Sequence, residues 1–171
     1  MREPALKPHV AGLFIAPEAG VPMQAVDAVR AVTGRGLEGD RYFLGIGSFS
    51  RWPAPHREVT LIAKEALDTL AAETGTALTP AESRRNILTV GVPLPALRHR
   101  RFQVGEVWVE GMRPCAPCKY LARLTDRPDL VRALTGRGGL RARLLTDGVI
   151  RRGDPVRWSD DLTTPVRRLP G

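Results

Sequence analysis

A mainly β protein, a closed or nearly closed antiparallel β-barrel with a few short peripheral helices, is the fold class this sequence predicts. Two observations carry that expectation. Short apolar or alternating runs recur along the chain and are cut repeatedly by Gly, Pro and Asp-Gly turns. No repeating strand-helix-strand rhythm of the kind that builds a doubly wound parallel sheet is present. With 171 residues, 43% of them apolar and 26% charged, the chain can bury one core without staples.

Taken in order, His9 to Ala16 is a short apolar run closed by Pro17 and Gly20, which reads as a buried strand. Val21 to Val32 carries both a three-residue valine spacing and β-branching, and strand is preferred. Gly34-Arg35-Gly36-Leu37-Glu38-Gly39-Asp40-Arg41-Tyr42 holds three glycines within six positions, which demands an irregular loop with close backbone approach. It lacks the Lys-Ser/Thr of a phosphate loop, so a tight turn with a satisfied Asp40-Arg41 pair is the favoured reading. Leu44 to His56 reads as a loop, and the lone His56 in it carries no assigned chemistry.

Glu58 to Ile62 reads as a strand. Ala63 to Thr74 follows as a helix, with Ala66, Leu67, Leu70 and Ala71 on one face and Gly75 as its stop. Thr79-Pro80-Ala81-Glu82 is a capping box that predicts a short helix before the strand Ile87 to Val90. Arg84-Arg85-Asn86 then falls at a helix-to-strand junction. Two guanidinium forks beside an amide suit bidentate recognition of phosphate, although solvated arginines would look the same in sequence. Arg101 to Glu110 alternates around Gly105-Glu106 and predicts a hairpin. Short helices are expected over 120–124 and 129–134, and short strands at Leu140 to Leu145, Val149-Ile150 and Pro155 to Trp158. Residues 1–160 are expected to form the single domain and 161–171 a flexible tail.

Both cysteines of the chain lie in one C-x-x-C, Cys115-Ala116-Pro117-Cys118, between the hairpin and a helix and among Arg113, Lys119 and Arg123. Cationic neighbours and a helix N-terminus favour a thiolate, the form that ligates metal or attacks an electrophile. A zinc site needs two more ligands, and His9, His56 and His99 lack the spacing to supply them. The motif comes too late in the chain for a thioredoxin-like fold, and no histidine base is evident for a papain-like nucleophile. One or two activated thiols in a basic setting remain, against the plainer possibility of two reduced, partly buried cysteines.

Net charge is +8, mostly from arginine. Aromatic residues are only 5% and no nucleic-acid module is recognisable, so no nucleic-acid partner is expected. No secretory signal and no run of about 18 apolar residues is visible, so no membrane association and a cytoplasmic location are expected.

Five blocks, read together, resemble the MOSC domain, named for the C-terminal region of molybdenum cofactor sulfurases. They are Gly36-Leu37-Glu38-Gly39-Asp40-Arg41, Arg84 to Gly91, Phe102-Gln103-Val104-Gly105-Glu106, Pro117-Cys118, and Gly148-Val149-Ile150 with Gly153-Asp154. The chain is similar to stand-alone bacterial members from about His9 to Trp158. The resemblance implies a β-rich barrel and a cysteine, matching Cys118, that ligates molybdenum of the molybdopterin cofactor or carries sulfane sulfur. It implies cofactor-binding roles for Arg84, Arg85 and Asn86, and less directly for Arg41 and Gly139. Cys115, Arg113 and Lys119 are accessory. The reaction expected is reduction of an N-hydroxylated small molecule, with electrons from a partner reductase. The alternatives are a sulfur carrier charged by a cysteine desulfurase, and a cofactor-binding module without chemistry. Neither the pyridoxal-phosphate domain of the full sulfurases nor the N-terminal extension of the amidoxime reducers has a counterpart in these 171 residues.

Overall fold

The computed structural model describes residues 7–44, 58–75, 77–115, 126–127, 132 and 136–159. Cys118 and Lys119, the expected loop at 44–56 apart from Leu44, the helices expected over 120–134 apart from Arg132 within them and Asp126 and Arg127 between them, and the tail lie outside the described residues.

The strands are β1 (His9–Ile15), β2 (Gln24–Val26), β3 (Ala28–Val32), β4 (Gly36–Leu37), β5 (Val59–Ala63), β6 (Ile87–Val90), β7 (Arg101–Val104), β8 (Val107–Pro114), β9 (Leu140–Leu144), β10 (Gly148–Arg151) and β11 (Val156–Arg157). The helix α1 (Lys64–Thr74) is joined to them. The main sheet runs β11-β7-β8-β9-β5-β6-β1-β2, and β10-β3-β4 form a smaller one. The main sheet curls until its ends almost meet. Val10 N–H donates to Asp154 O at 2.8 Å, Gly153 N–H to Val10 O at 2.7 Å, and Val156 N–H to Pro8 O at 3.1 Å. A bridge between His9 and Pro155 thereby joins β1 to the segment entering β11, and β2 is left outside the ring.

The expected antiparallel barrel is observed with one exception. β5 and β6 are parallel, in register Leu61↔Ile87 to Ala63↔Thr89. Parallel neighbours need a crossover of a dozen or more residues, which α1 and the turn after it provide. That helix buries Leu67 and Leu70 and ends at Gly75 in the left-handed conformation, φ 73°. The capping box at Thr79 also forms: Thr79 N–H donates to Glu82 Oε1 at 3.0 Å and Glu82 N–H to Thr79 Oγ1 at 3.2 Å. The helix expected there does not. The segment completes one turn, Arg84 swings to φ 63°, and β6 begins three residues later. A short 3-10 helix at Leu94–Leu97, which the sequence reading missed among its prolines, buries both leucines.

Two apolar layers follow from the alternation of strand residues. The barrel interior holds Val10, Leu13, Leu61, Ile87, Phe102, Val109, Leu140, Ala142 and Leu144 among others. Outside the barrel, Ile62 and Leu88 meet Leu67 and Leu70 of α1 together with Leu78. The outer face of β5 and β6 is therefore apolar under α1 and polar beyond it, where Thr60 and Asn86 lie. Among the described residues no helix is long and apolar enough to cross a membrane.

Candidate functional site

Cys115 directly follows β8 and is the last described residue before the rest of the C-x-x-C. Its side chain is buried, and its N–H donates to Gly139 O at 2.8 Å. Gly139 sits against β5: a Cβ there would lie 2.0 Å from Leu61 O, and its φ of +103° is one that L side chains rarely adopt. Only glycine lets this turn lie so close to β5. The preceding carbonyl, Gly138 O, accepts from Arg85 Nε at 2.9 Å. Because the strand order is β9-β5-β6, Arg85 reaches over β5 to make that bond. Arg137, one residue earlier, is held by both oxygens of Glu73 on α1, at 2.6 and 3.1 Å. Residues 137–139 are thus tied to the helix, to the arginine block and to the start of the cysteine loop.

The two neighbouring arginines part company. Arg85 is buried and points to residue 138. Arg84, in its left-handed conformation, carries its Nη1 to Val21 O between β1 and β2, with Nε and Nη2 also buried. Asn86 is buried between three strands. Its Oδ1 accepts from Thr60 N–H and Thr60 Oγ1–H, each at 3.1 Å, and its Nδ2 donates to Phe14 O at 3.1 Å. A side-chain amide has two acceptor lone pairs and two N–H donors, and among the described residues Asn86 uses one N–H, on Phe14 O.

The Asp40-Arg41 pair expected from the sequence is present and buried. Arg41 Nη1 lies 3.2 Å from Asp40 Oδ1, which also accepts from Ala16 N–H at 3.0 Å. Arg41 N–H in turn donates to Ala16 O at 2.7 Å, which fastens this turn to the end of β1. The Arg41 guanidinium stacks 4.8 Å from the centre of the Tyr42 ring. Burial raises the Tyr42 phenol above its ordinary value, Arg41 and then Arg141 pull it back, and Asp40 and Cys115 add to the rise. Those influences place Arg41, Arg141 and Cys115 each within electrostatic reach of Tyr42.

Arg141 and Thr60 were not singled out in the sequence, yet both belong to the polar row on the outer face. Arg113 of β8 opposes Arg141 of β9, and Arg141 opposes Thr60 of β5, which binds Asn86. The row joins the residues beside the cysteines to the arginine-asparagine block. The signal for Arg141 was the alternation Leu140-Arg141-Ala142-Arg143-Leu144, which sends both arginines outward.

Soft thiolate and guanidinium donors are the chemistry a phosphorylated, metal-bearing pterin requires, and the described part of the site is rich in guanidinium. Arg41, Arg85, Arg113 and Arg141 therefore fit such a group. No three His, Cys, Asp or Glu side chains come together for a metal among the described residues.

A curled β-barrel whose outer face carries a row of arginines leading to the buried Cys115 defines the class. The MOSC domain family model matches residues 49–157, and the chain belongs to that family, a molybdenum-cofactor-related one. Among solved structures it is similar to the YUAD protein of Bacillus subtilis, with 20% identity, a TM-score of 0.73, and 88% of this chain and 94% of that one covered. YiiM from Geobacillus stearothermophilus is similar at 18% identity and TM-score 0.68, covering 90% and 75%. YiiM from Escherichia coli is similar at 20% and 0.65, covering 88% and 69%. At these identities the likeness establishes the fold. No curated protein matches the sequence.

Proposed function

We propose that this chain binds the molybdenum cofactor and reduces N-hydroxylated small molecules, with Cys118 as the thiolate ligand to the metal. The observation that supports this best is the continuous tie from Arg85 through Gly138 and Gly139 to Cys115, which joins the arginine block to the root of the cysteine loop. Arg41, Arg84 and Arg85 supply positive charge for the cofactor phosphate, and Asn86 offers its remaining N–H to the pterin edge. Gly139 lets the 137–139 turn lie close against β5, where a Cβ would run into Leu61 O, and so holds the carbonyls that bind Arg85 and Cys115 in place. Arg113 and Lys119 favour the thiolate form of Cys118, and Cys115 is accessory. When bound, the cofactor would supply a redox-active metal suited to removing an oxygen atom from the substrate, and a soft thiolate such as that of Cys118 would suit such a metal. Electrons come from a partner reductase.

The buried Cys115 thiol, three residues from Cys118, supports a second reading in which Cys118 accepts a persulfide from a cysteine desulfurase and Cys115 resolves it. Molybdenum and pterin analysis of wild type and Cys118→Ala, both expressed in a host able to make the cofactor, tests the two. The reductase reading expects molybdenum in the wild type and its loss in the variant. Metal-free wild type that forms a persulfide with a desulfurase would replace it with the carrier reading. Wild type with neither would leave a binding module. Molybdenum retained by the variant would remove Cys118 as the ligand.

A further inference from the structure

We infer that the outer face around Trp108 docks an acidic protein, and that in the proposed reductase reaction this protein is the electron donor. Trp108 is 39% exposed, one of two large apolar side chains that the described residues leave exposed. Its surroundings follow from register. Arg157 of β11 opposes Gln103 of β7, which opposes Trp108 of β8. One step along the same face, Arg101 of β7 opposes Glu110 of β8, which opposes Arg143 of β9. Phe102, Val104, Val109 and Leu144 alternate with these residues and fill the barrel interior, so the tryptophan and the three arginines share the outer face. Neighbouring strands lie about 4.8 Å apart, which makes the patch from β11 to β9 about 14 Å wide.

Two features of the patch select its occupant. Tryptophan and arginine are the side chains on which protein interfaces concentrate their binding energy, and both are gathered here. Charge is the second feature. Three guanidiniums face one carboxylate, Glu110, which Arg101 Nε and Arg143 Nη2 share at 3.3 and 3.2 Å. An acidic surface complements the charge that remains and is steered toward a chain whose net charge is +8. A second copy of this chain would set arginine against arginine, and a nucleic acid strand would bring its phosphates against Glu110. The width suits a brief encounter rather than a permanent complex, as electron-transfer pairs make. Cys115 follows on the same strand, at most about 24 Å from Trp108, which is less than the roughly 30 Å diameter of a small domain. A protein seated on Trp108 therefore reaches the start of the cysteine loop. Each turnover takes two electrons from the donor and two protons from water: the N–O bond of the substrate breaks, the oxygen leaves as water, and the nitrogen keeps a hydrogen. The patch stands on its own geometry, and only the donor role of its occupant rests on the reductase reading.

Calorimetric titration of the full chain with two small electron-transfer proteins, an acidic plant-type ferredoxin and a basic cytochrome c, tests the docking. Ferredoxin should bind at low ionic strength and cytochrome c should not. Trp108→Ala should weaken ferredoxin binding at least tenfold at low and at high salt. Arg157→Glu should weaken it at least tenfold at low salt and little once salt screens the charge. Arg152→Glu makes the same charge change outside the patch, where Arg152 pairs with Asp27, and should cost less than threefold. Arg157 is exposed, so its variant decides the matter even if Trp108→Ala does not fold. Failure of ferredoxin to bind, equal losses in Arg157→Glu and Arg152→Glu, or wild-type affinity in a folded Trp108→Ala would each overturn the proposal. Tighter binding of a short single-stranded oligonucleotide, lost in Trp108→Ala, would replace the acidic protein by nucleic acid. Turnover separates the docking from the reductase reading. In molybdenum-containing protein, reduction of an N-hydroxylated amidine by limiting reduced ferredoxin should fall at least tenfold in Trp108→Ala, while reduction driven by reduced methyl viologen keeps its wild-type rate. Equal ferredoxin-driven rates in wild type and Trp108→Ala would overturn the donor role. No turnover with either donor, beside intact ferredoxin binding, would sink the reductase reading and leave the docking surface in place.

Discussion

Asn86 and Thr60 hold each other from both ends: Asn86 Oδ1 accepts from the Thr60 amide and hydroxyl at 3.1 Å each, while Asn86 N–H points back at Thr60 Oγ1 at 3.0 Å. With Nδ2 on Phe14 O, one side chain fastens β1, β5 and the start of β6. The residue that the family resemblance marks for the cofactor is thus also a fastening of the barrel.

Replacing Asn86 by Ala leaves a buried amide N–H of Thr60 and a carbonyl of Phe14 without their side-chain partners. Unmet buried groups cost about 1–3 kcal/mol each, so a loss of about 2–3 kcal/mol is expected in urea unfolding. Thr60→Val removes only the hydroxyl, leaves the amide bond, and should cost about 1 kcal/mol. A double mutant as unstable as Asn86→Ala alone would show that the two side chains act as one unit.

Gly139→Ala would force a Cβ to 2.0 Å from Leu61 O at a φ of +103°. Steric overlap and backbone strain together predict a loss of about 3 kcal/mol or more. Gly136 is the internal comparison: its φ is +79°, but a Cβ there meets nothing within 4 Å. Gly136→Ala should cost only about 1 kcal/mol, the ordinary penalty for a left-handed alanine. Similar midpoints for the two variants in denaturant would show that the approach to β5 is not tight.

Strand identity was legible where a strand buries one side and shows the other, as in Leu140 to Leu144, or forms a short wholly apolar-rich run such as Ile87 to Val90, and turns announced themselves through Gly105, Gly148 and Gly153. Pairing was less so. The parallel β5-β6 contact depends on where α1 lands, and nothing within Val59–Ala63 distinguishes a parallel from an antiparallel neighbour. The closure of the barrel rests on backbone bonds between Val10 and residues 153–154, which carry no side-chain signature. At the site, Arg84 and Arg85 were legible as a block but not as a divided pair, because the left-handed turn at Arg84 is set by the junction rather than by residue type. Arg141 was hidden in a strand pattern that reads only as alternation.

Glu58 gives the pH prediction. It is buried, accepts from Gly34 N–H at 2.7 Å, and faces the backbone of Leu144 and the charge of Arg143. Burial raises its carboxyl above the ordinary 4.5, and the two backbone bonds and Arg143 only partly oppose this. The folded state therefore holds the proton to higher pH than the unfolded chain does. Its contribution to stability is complete below 4.5 and declines as pH rises through the folded value. Glu58→Gln, which cannot ionise, should remove that decline. Asp147 and Glu73, whose carboxyls lie below their ordinary values, act in the opposite sense, losing stability as pH falls, and do so equally in both proteins. Unfolding free energies of wild type and variant that run parallel from pH 4 to 8 would refute the assignment.

The cysteines offer the sharpest division of roles. Cys115 is 2% exposed and its backbone is fixed to Gly139, so a thiol reagent reaches it only when β8 and β9 separate at their ends. In the Cys118→Ala variant, where Cys115 is the sole thiol, labelling by an aromatic disulfide should be roughly a hundredfold slower than in the urea-unfolded chain. Cys115→Ala should cost about 1 kcal/mol, the value of a small buried apolar group, and leave molybdenum content at the wild-type level. Fast labelling of Cys115 in the folded protein would place its sulfur at the surface. Loss of metal in Cys115→Ala, measured beside retention in Cys118→Ala, would exchange the two roles and move the ligand from the loop to the end of β8.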